Sequence, residues 1–181
     1  RWLLQTPMFN VINGGKNADS GLDVQEFMLV PVGCASFSDA LRAGAEMYQY
    51  LKLIVAKNGF STAMGDEGGF APRVKSHAAA RDLVIEAIGR AKYDGKVKIS
   101  MDVAASEFTQ DGEGGYVFEG TRRSVDELIG VYTGFVDRYP FLSIEDPLDE
   151  DDWAGWKKMT VALGGRIRII GDDLFVTNPE R

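Results

Sequence analysis

The sequence predicts an α/β fold with a parallel sheet. Three observations carry this reading. Short apolar runs recur at residues 97–102, 141–145 and 167–172, each bounded by turn residues. Stripes of apolar residues at helical spacing lie before and between them. Strand and helix signals then alternate along the chain, the pattern of a sheet whose crossovers are helices.

In order along the chain, residues 8–13 form an apolar run closed by Asn13-Gly14-Gly15, a strong turn signal. Residues 23–32 read as a second strand, stopped by Pro31 and Gly33. Ser38 is a candidate N-cap for a helix carrying Leu41, Gly44, Met47, Tyr48, Leu51, Ile54 and Val55, with Gly59 at its end. Ser76 caps a second helix, whose stripe is Ala80, Leu83, Val84, Ala87, Ile88 and Ala91. After the strand at 97–102, Ser124 and Glu127 form a capping box ahead of Leu128, Ile129, Tyr132 and Val136. Asp151 and Asp152 suit the N-terminus of the helix that follows strand 141–145, and Gly164-Gly165 stops it.

A chain of 181 residues can bury roughly 70% of its unfolded surface, enough for a substantial core. Hydrophobic content of 45% with 26% charged residues fits a soluble globular protein and excludes a rod or a disordered tail. A net charge of -7 argues against nucleic acid as the main partner. It leaves room for a small anionic ligand held through a cation. The single Cys34 excludes a disulfide framework and is assigned no role. No apolar run approaches the ~20 residues of a membrane span. The chain starts at Arg1 and ends on Asn178-Pro179-Glu180-Arg181, the approach to a further helix, so a fragment of a longer protein is expected.

The main chemical signal is three acidic strand ends. By alternation Asp102 shares a face with Ser100, Glu145 with Ser143, and Asp172 with Ile170, opposite faces rich in Ile, Met and Leu. In a βα barrel the apolar face packs on helices, so the three carboxylates point inward at the C-terminal edge, where such folds place their sites. Converging carboxylates repel unless a cation sits among them. Oxygen-only ligands favour magnesium, manganese or calcium over zinc, and magnesium suits a site shared with waters and substrate oxygens. Each acid taken singly reads equally well as a cap for the next helix; their common phase favours convergence. Asp146 and Asp173 point the other way and read as supporting or capping residues.

Other features are weaker. Gly65-Asp66-Glu67-Gly68-Gly69-Phe70-Ala71-Pro72 sets two carboxylates between glycines, which a solvated turn also explains. Gln25 and Glu26 point to opposite faces by strict alternation, which admits only one to a site. His77, the only histidine, reads as a solvated first-turn residue. Trp153 and Trp156 read as packing.

Six segments together resemble the enolase family. They are residues 10–15 (NVINGG), 23–28 (DVQEFM), 65–72 (GDEGGFAP), 102–108 (DVAASEF), 143–147 (SIEDP) and 171–174 (GDDL), in the family's order over residues 7–181. The resemblance implies a partial TIM-type barrel of the enolase kind, opening strand, strand, helix, helix and continuing in strand–helix units. About five of the eight strands are countable. Residues 1–181 are then part of the C-terminal barrel domain, with the N-terminal domain and the end of the barrel absent.

The resemblance also implies a chemistry: magnesium-dependent dehydration of 2-phosphoglycerate to phosphoenolpyruvate, a lyase reaction of glycolysis. Enolase-superfamily sites use a Lys or His base with one or two magnesium ions. By resemblance Asp102, Glu145 and Asp172 are the magnesium ligands, and Glu145 and Asp172 also border the substrate. Glu67 matches the general acid, Glu26 the carboxylate that orients the leaving hydroxyl with it, and Gln25 a substrate contact. The expected partner is a small anionic substrate, the expected full-length assembly a homodimer, and the expected location the cytoplasm, with a cell-surface or secreted pool as the alternative. Two departures stand out. Asn17 occupies the place of the family's usual histidine after Asn-Gly-Gly, and no lysine matches the family's base. The chain alone is therefore expected to be inactive, and a non-catalytic binding or surface-interaction module is the competing reading. A different magnesium-dependent member of the superfamily is disfavoured by the Gly65–Gly69 motif.

Overall fold

The computed structural model describes residues 4–109 and 115–181. Its main sheet has five strands in the order β1 (Phe9–Asn13), β2 (Glu26–Val30), β3 (Lys98–Asp102), β6 (Phe141–Glu145) and β7 (Arg168–Ile170). A separate hairpin is made of β4 (Tyr116–Phe118) and β5 (Thr121–Arg123). Helices α1 (Phe37–Lys57), α2 (His77–Arg90), α3 (Val125–Arg138) and α4 (Trp153–Leu163) complete the fold. The sheet is not closed: β1 and β7 each have one strand neighbour. Strand, strand, helix, helix and then strand–helix units follow one another as expected for a partial barrel, with the β4–β5 hairpin as an addition.

Connection type sets strand direction. β1 and β2 are joined without a long helix, so the chain reverses and they pair antiparallel. Between β2 and β3 run two helices; α1 carries the chain back and α2 returns it, leaving β3 antiparallel to β2. From β3 onward one helix separates consecutive strands of the sheet, and β3–β6 and β6–β7 are parallel. The parallel sheet expected from alternation therefore holds from β3, while β2 opposes both of its neighbours.

Helix starts follow the caps, with one shift. Ser76 and Ser124 accept the N–H groups of Ala79 and Glu127, and the capping box at Ser124 is complete. Asp152 caps α4 by accepting from Gly155 at 2.9 Å. In α1 the cap is Ser36 rather than Ser38, because the Ser36 hydroxyl reaches the N–H of Asp39. The hairpin β4–β5 is an element that the apolar periodicity of the sequence does not signal. Its turn, Glu119-Gly120, has positive φ at both positions (52° and 67°), the twist that two-residue hairpins need. Phe118 and Tyr116 are buried beneath it, joining the core built from β-strand and helix side chains such as Phe27, Met47, Ile99 and Tyr132. Full burial of each such side chain contributes about 1.5–3 kcal/mol. No described helix is long and apolar enough to cross a membrane.

Candidate active site

Strand register places a row of side chains along one edge of the sheet. Asn13 pairs with Glu26, Glu26 with Asp102, Asp102 with Glu145, and Glu145 with Ile170. The edge holds the C-terminal ends of β1, β3, β6 and β7. It holds the start of β2, because that strand runs the other way. Below Asp102 and Glu145 on the same face, Ser143 donates its hydroxyl to Ser100 at 2.8 Å, closing the interior between β3 and β6.

The strand begins at Glu26, so Gln25 precedes it and is free of strand alternation. Glu26 is buried and accepts from the Asn17 amide at 3.4 Å. Asn17 thus faces the site in the position where the family pattern has histidine, as a donor that carries no titratable proton. Burial, a hydrogen bond shared with Glu67, and the charges of Glu67, Asp102 and Glu145 push the Glu26 carboxyl up to about 8.

Glu67 arrives on the Gly65–Phe70 loop. This loop is sewn to β1: Asn13 N–H donates to Phe70 O and Phe70 N–H to Val11 O, both at 2.9 Å. Tyr48 Oη donates to Gly68 O at 2.7 Å, and Asn10 donates its amide to Glu67 Oε2 at 3.4 Å. No sequence pattern marks Asn10, Asn13 and Tyr48 as supports of this loop. Asn13 is fully buried with both side-chain polar atoms unpartnered, and a Cβ on Gly69 would stand 2.7 Å from its Oδ1.

Asp102 and Glu145 are the last residues of β3 and β6, as expected. Burial and the charges of Glu145, Asp146 and Asp173 raise Asp102 to about 7, although the N–H of Ala104 opposes this. Burial and the charges of Asp146, Asp172 and Asp173 also raise Glu145. Asp172 does not end a strand. β7 stops at Ile170, and Asp172 lies on the following turn, exposed. Its placement comes from Asp146, a buried residue at positive φ (40°). The Asp146 carboxylate accepts the N–H groups of Asp172, Asp173 and Leu174 at 2.9–3.5 Å. Asp146 is therefore the supporting residue expected, whereas Asp173 contributes charge that raises its neighbours.

The expectation for His77 is corrected. It is 1% exposed, stacked on Phe118, and its ring nitrogens meet the Asp23–Val24 amides and Glu119. A buried site was invisible without the β4–β5 hairpin that encloses it. Cys34 is a half-buried free thiol. Trp156 packs in the core and donates to Asp149 O at 3.0 Å, as packing predicts; Trp153 is partly exposed under the Arg181 guanidinium.

Among the described residues, no three carboxylate, imidazole or thiol groups already stand around a point where they could hold a metal ion. The carboxylates are gathered by register and repel one another, but their side chains are not closed into a cage.

The chain matches known proteins along its whole length. A family model described as "Enolase, C-terminal TIM barrel domain" matches residues 1–181. The chain is 52% identical over 181 residues to a protein named enolase from Kineococcus radiotolerans, covering 99% of this chain and 42% of that protein. It thus spans less than half the length of that relative. The strand–strand–helix–helix opening, the acidic sheet edge and this match make the chain a member of the enolase C-terminal barrel family.

Proposed function

We propose that the protein containing this chain is a magnesium-dependent enolase, which interconverts 2-phosphoglycerate and phosphoenolpyruvate. The observation that carries the reading is the register row Glu26, Asp102, Glu145 at one sheet edge, with Glu67 close enough to its first member to raise it.

The donor set suits magnesium. Asp102, Glu145 and Asp172 offer only hard oxygen ligands, and the raised Asp102 and Glu145 express repulsion that a dication relieves. Bound there, magnesium would stabilise negative charge developing on a substrate carboxylate. The chain's own groups have separate tasks. With Glu26 raised to about 8, its carboxyl retains a proton at neutral pH, and a proton held at this edge is what protonating a departing hydroxyl requires. Asn10 holds Glu67 Oε2 and Asn17 holds Glu26 Oε1, fixing the two carboxyls relative to each other. Gln25, directly before Glu26, contributes a neutral polar contact to the substrate. Asp146 keeps Asp172 at the edge of the row.

The test is dehydration of 2-phosphoglycerate by the full-length protein, followed by phosphoenolpyruvate absorbance with and without magnesium. Magnesium-dependent turnover is expected; its absence overturns the reading.

A further inference from the structure

The segment from Leu22 to Gln25 feeds Glu26 into the site, and its backbone is held from two sides. On one side, Gly14 donates to Gln25 O at 2.9 Å and Gly15 to Leu22 O at 2.8 Å. On the other, the N–H groups of Asp23 and Val24 both donate to His77 Nε2, at 2.9 and 3.1 Å. The ring comes from the first residue of α2, fifty-three positions from Val24 in sequence. It is buried and stacked on Phe118 with centroids 4.4 Å apart.

Two N–H donors aimed at one ring nitrogen define the state of the ring. Nε2 must present a lone pair, so the proton of the neutral imidazole sits on Nδ1. There it donates to Glu119 Oε1 at 2.8 Å. The same oxygen accepts the His77 backbone N–H at 2.8 Å, and Asp23 Oδ2 accepts the N–H of Glu119 at 2.7 Å. The start of β2, the start of α2 and the β4–β5 turn thus close a ring of hydrogen bonds around one imidazole.

We propose that His77 is a positioning residue for the active site: as the Nδ1–H tautomer it holds the Asp23–Val24 amides and so sets where Gln25 and Glu26 enter the carboxylate row. The proposal rests on the role given to Glu26 above. It does not make His77 a catalytic residue, since no substrate need touch it.

The same geometry makes the latch acid-sensitive. A proton on Nε2 would aim a third donor at the two amides and release them. Asp23, whose Oδ2 lies 3.8 Å from Nε2, and Glu119 on Nδ1 both favour the imidazolium; Arg123 acts on Glu119 from the hairpin. Burial outweighs the two carboxylates and holds His77 below its ordinary value. The neutral ring therefore persists at neutral pH, and its contribution is lost as pH falls through the folded value.

The first test uses the full-length protein and does not depend on its activity. Nitrogen-15 NMR of the imidazole near neutral pH is expected to show a protonated Nδ1 and a bare Nε2, with slow exchange at the Asp23 and Val24 amides. A protonated Nε2, or unprotected exchange at those amides, overturns the proposal whatever the enzyme does. The second test uses the full-length protein. His77→Gln keeps an oxygen acceptor near the Nε2 position, and His77→Phe keeps only the stack on Phe118.

The Phe variant is expected to lose about tenfold or more in kcat, in line with the cost of misplaced catalytic groups, and to shift the Glu26 carboxyl carbon resonance. The Gln variant should retain most of kcat and lose the acid limb that His77 contributes to its pH profile. Equal losses in both variants, or an unmoved Glu26 resonance in His77→Phe, overturn the positioning role. If His77→Phe does not fold, the Gln profile and the tautomer decide. If the unmodified full-length protein has no enolase activity, the proposed function fails, while the tautomer and the Glu26 resonance still decide whether the latch exists.

Discussion

Glu26, the first residue of β2, is the register partner of Asp102, the last residue of β3. Antiparallel pairing is what brings a strand start beside a strand end, and it puts two buried acids side by side. Both are raised, Glu26 to about 8 and Asp102 to about 7, by burial first and by neighbouring carboxylates after that. A carboxyl raised in the fold binds its proton more tightly there than when unfolded. Its stabilisation is complete below the unfolded value and is lost as pH rises through the folded one. Without metal, the chain should therefore lose stability from about pH 4 to about pH 8 through these two groups. Glu26→Gln and Asp102→Asn should each flatten that decline and raise Tm at the alkaline end by a few degrees. Melting curves across the range check this; an unchanged slope in both variants would refute it.

Magnesium should act on the same charges. Replacing Asp102 by Asn, Glu145 by Gln or Asp172 by Asn removes one anionic ligand from the proposed set. Each change should weaken magnesium binding about tenfold or more, equivalent to about 1.4 kcal/mol. Calorimetric titration of the full-length variants measures this. A variant with unaltered affinity takes its residue out of the set.

Asp146 makes a different prediction, because it acts on backbone. Its carboxylate accepts three successive N–H groups, those of Asp172, Asp173 and Leu174. Asparagine has a single acceptor oxygen and brings two donors toward N–H groups. Asp146→Asn should cost about 1–3 kcal/mol, the penalty for buried donors left without partners. In a domain of this size, that is a Tm loss of about 2–4 °C per kcal/mol. Hydrogen exchange should quicken at residues 172–174 specifically; exchange spread evenly over the chain would contradict the local role.

Two glycines can be ranked by what a methyl group would meet. A Cβ on Gly14 would lie 2.4 Å from Val24 O and 2.7 Å from Leu22 Cβ, within the turn that delivers Gln25 and Glu26. A Cβ on Gly165 would meet nothing within 4 Å, and its φ is not in the left-handed region. Gly14→Ala should destabilise by about 2 kcal/mol or more, as overpacking against backbone does, while Gly165→Ala should be neutral or slightly stabilising. Urea unfolding of the two variants compares them, and equal midpoints would contradict the ranking.

The legible parts of this site were those tied to strand ends. Asp102 and Glu145 close their strands, and period-two alternation locates them without further knowledge. For Asp172 alternation does not apply, since β7 ends at Ile170 and Asp146 positions the residue instead. Gln25 and Glu26 exclude each other only in a strand that contains both, and the ladder starts at Glu26. The burial of His77 has no sequence signal, because its partners are backbone amides and a hairpin turn, Glu119-Gly120, that lacks the usual Asn-Gly signature. The unpartnered amide of Asn13 has no sequence signal, for burial beneath the Gly65–Phe70 loop arises only when β1 meets that loop.

The isolated 181-residue chain should not turn over 2-phosphoglycerate, and it should self-associate. A proton must be taken from carbon by a base at the carboxylate edge, and the family uses Lys or His there. His77 is buried with both ring nitrogens engaged. Lys98 begins β3 opposite Val30, at the far end of the ladder from Asp102. Four residues of strand separate Lys98 from Asp102, roughly 13 Å at ~3.3 Å per residue, well outside the reach of direct proton transfer. Lys16 does lie on the active side, but its ammonium pairs with Glu107. Association follows from the open sheet: among the described residues β7 pairs only with β6, whereas the outer edge of β1 is covered by the Gly65–Phe70 loop, and an unpaired edge such as that of β7 recruits other chains. Turnover assays and light-scattering mass on the purified chain test both halves. A monomer with the specific activity of the full-length protein would show that the open sheet is sufficient for catalysis and that a residue of this chain acts as the base.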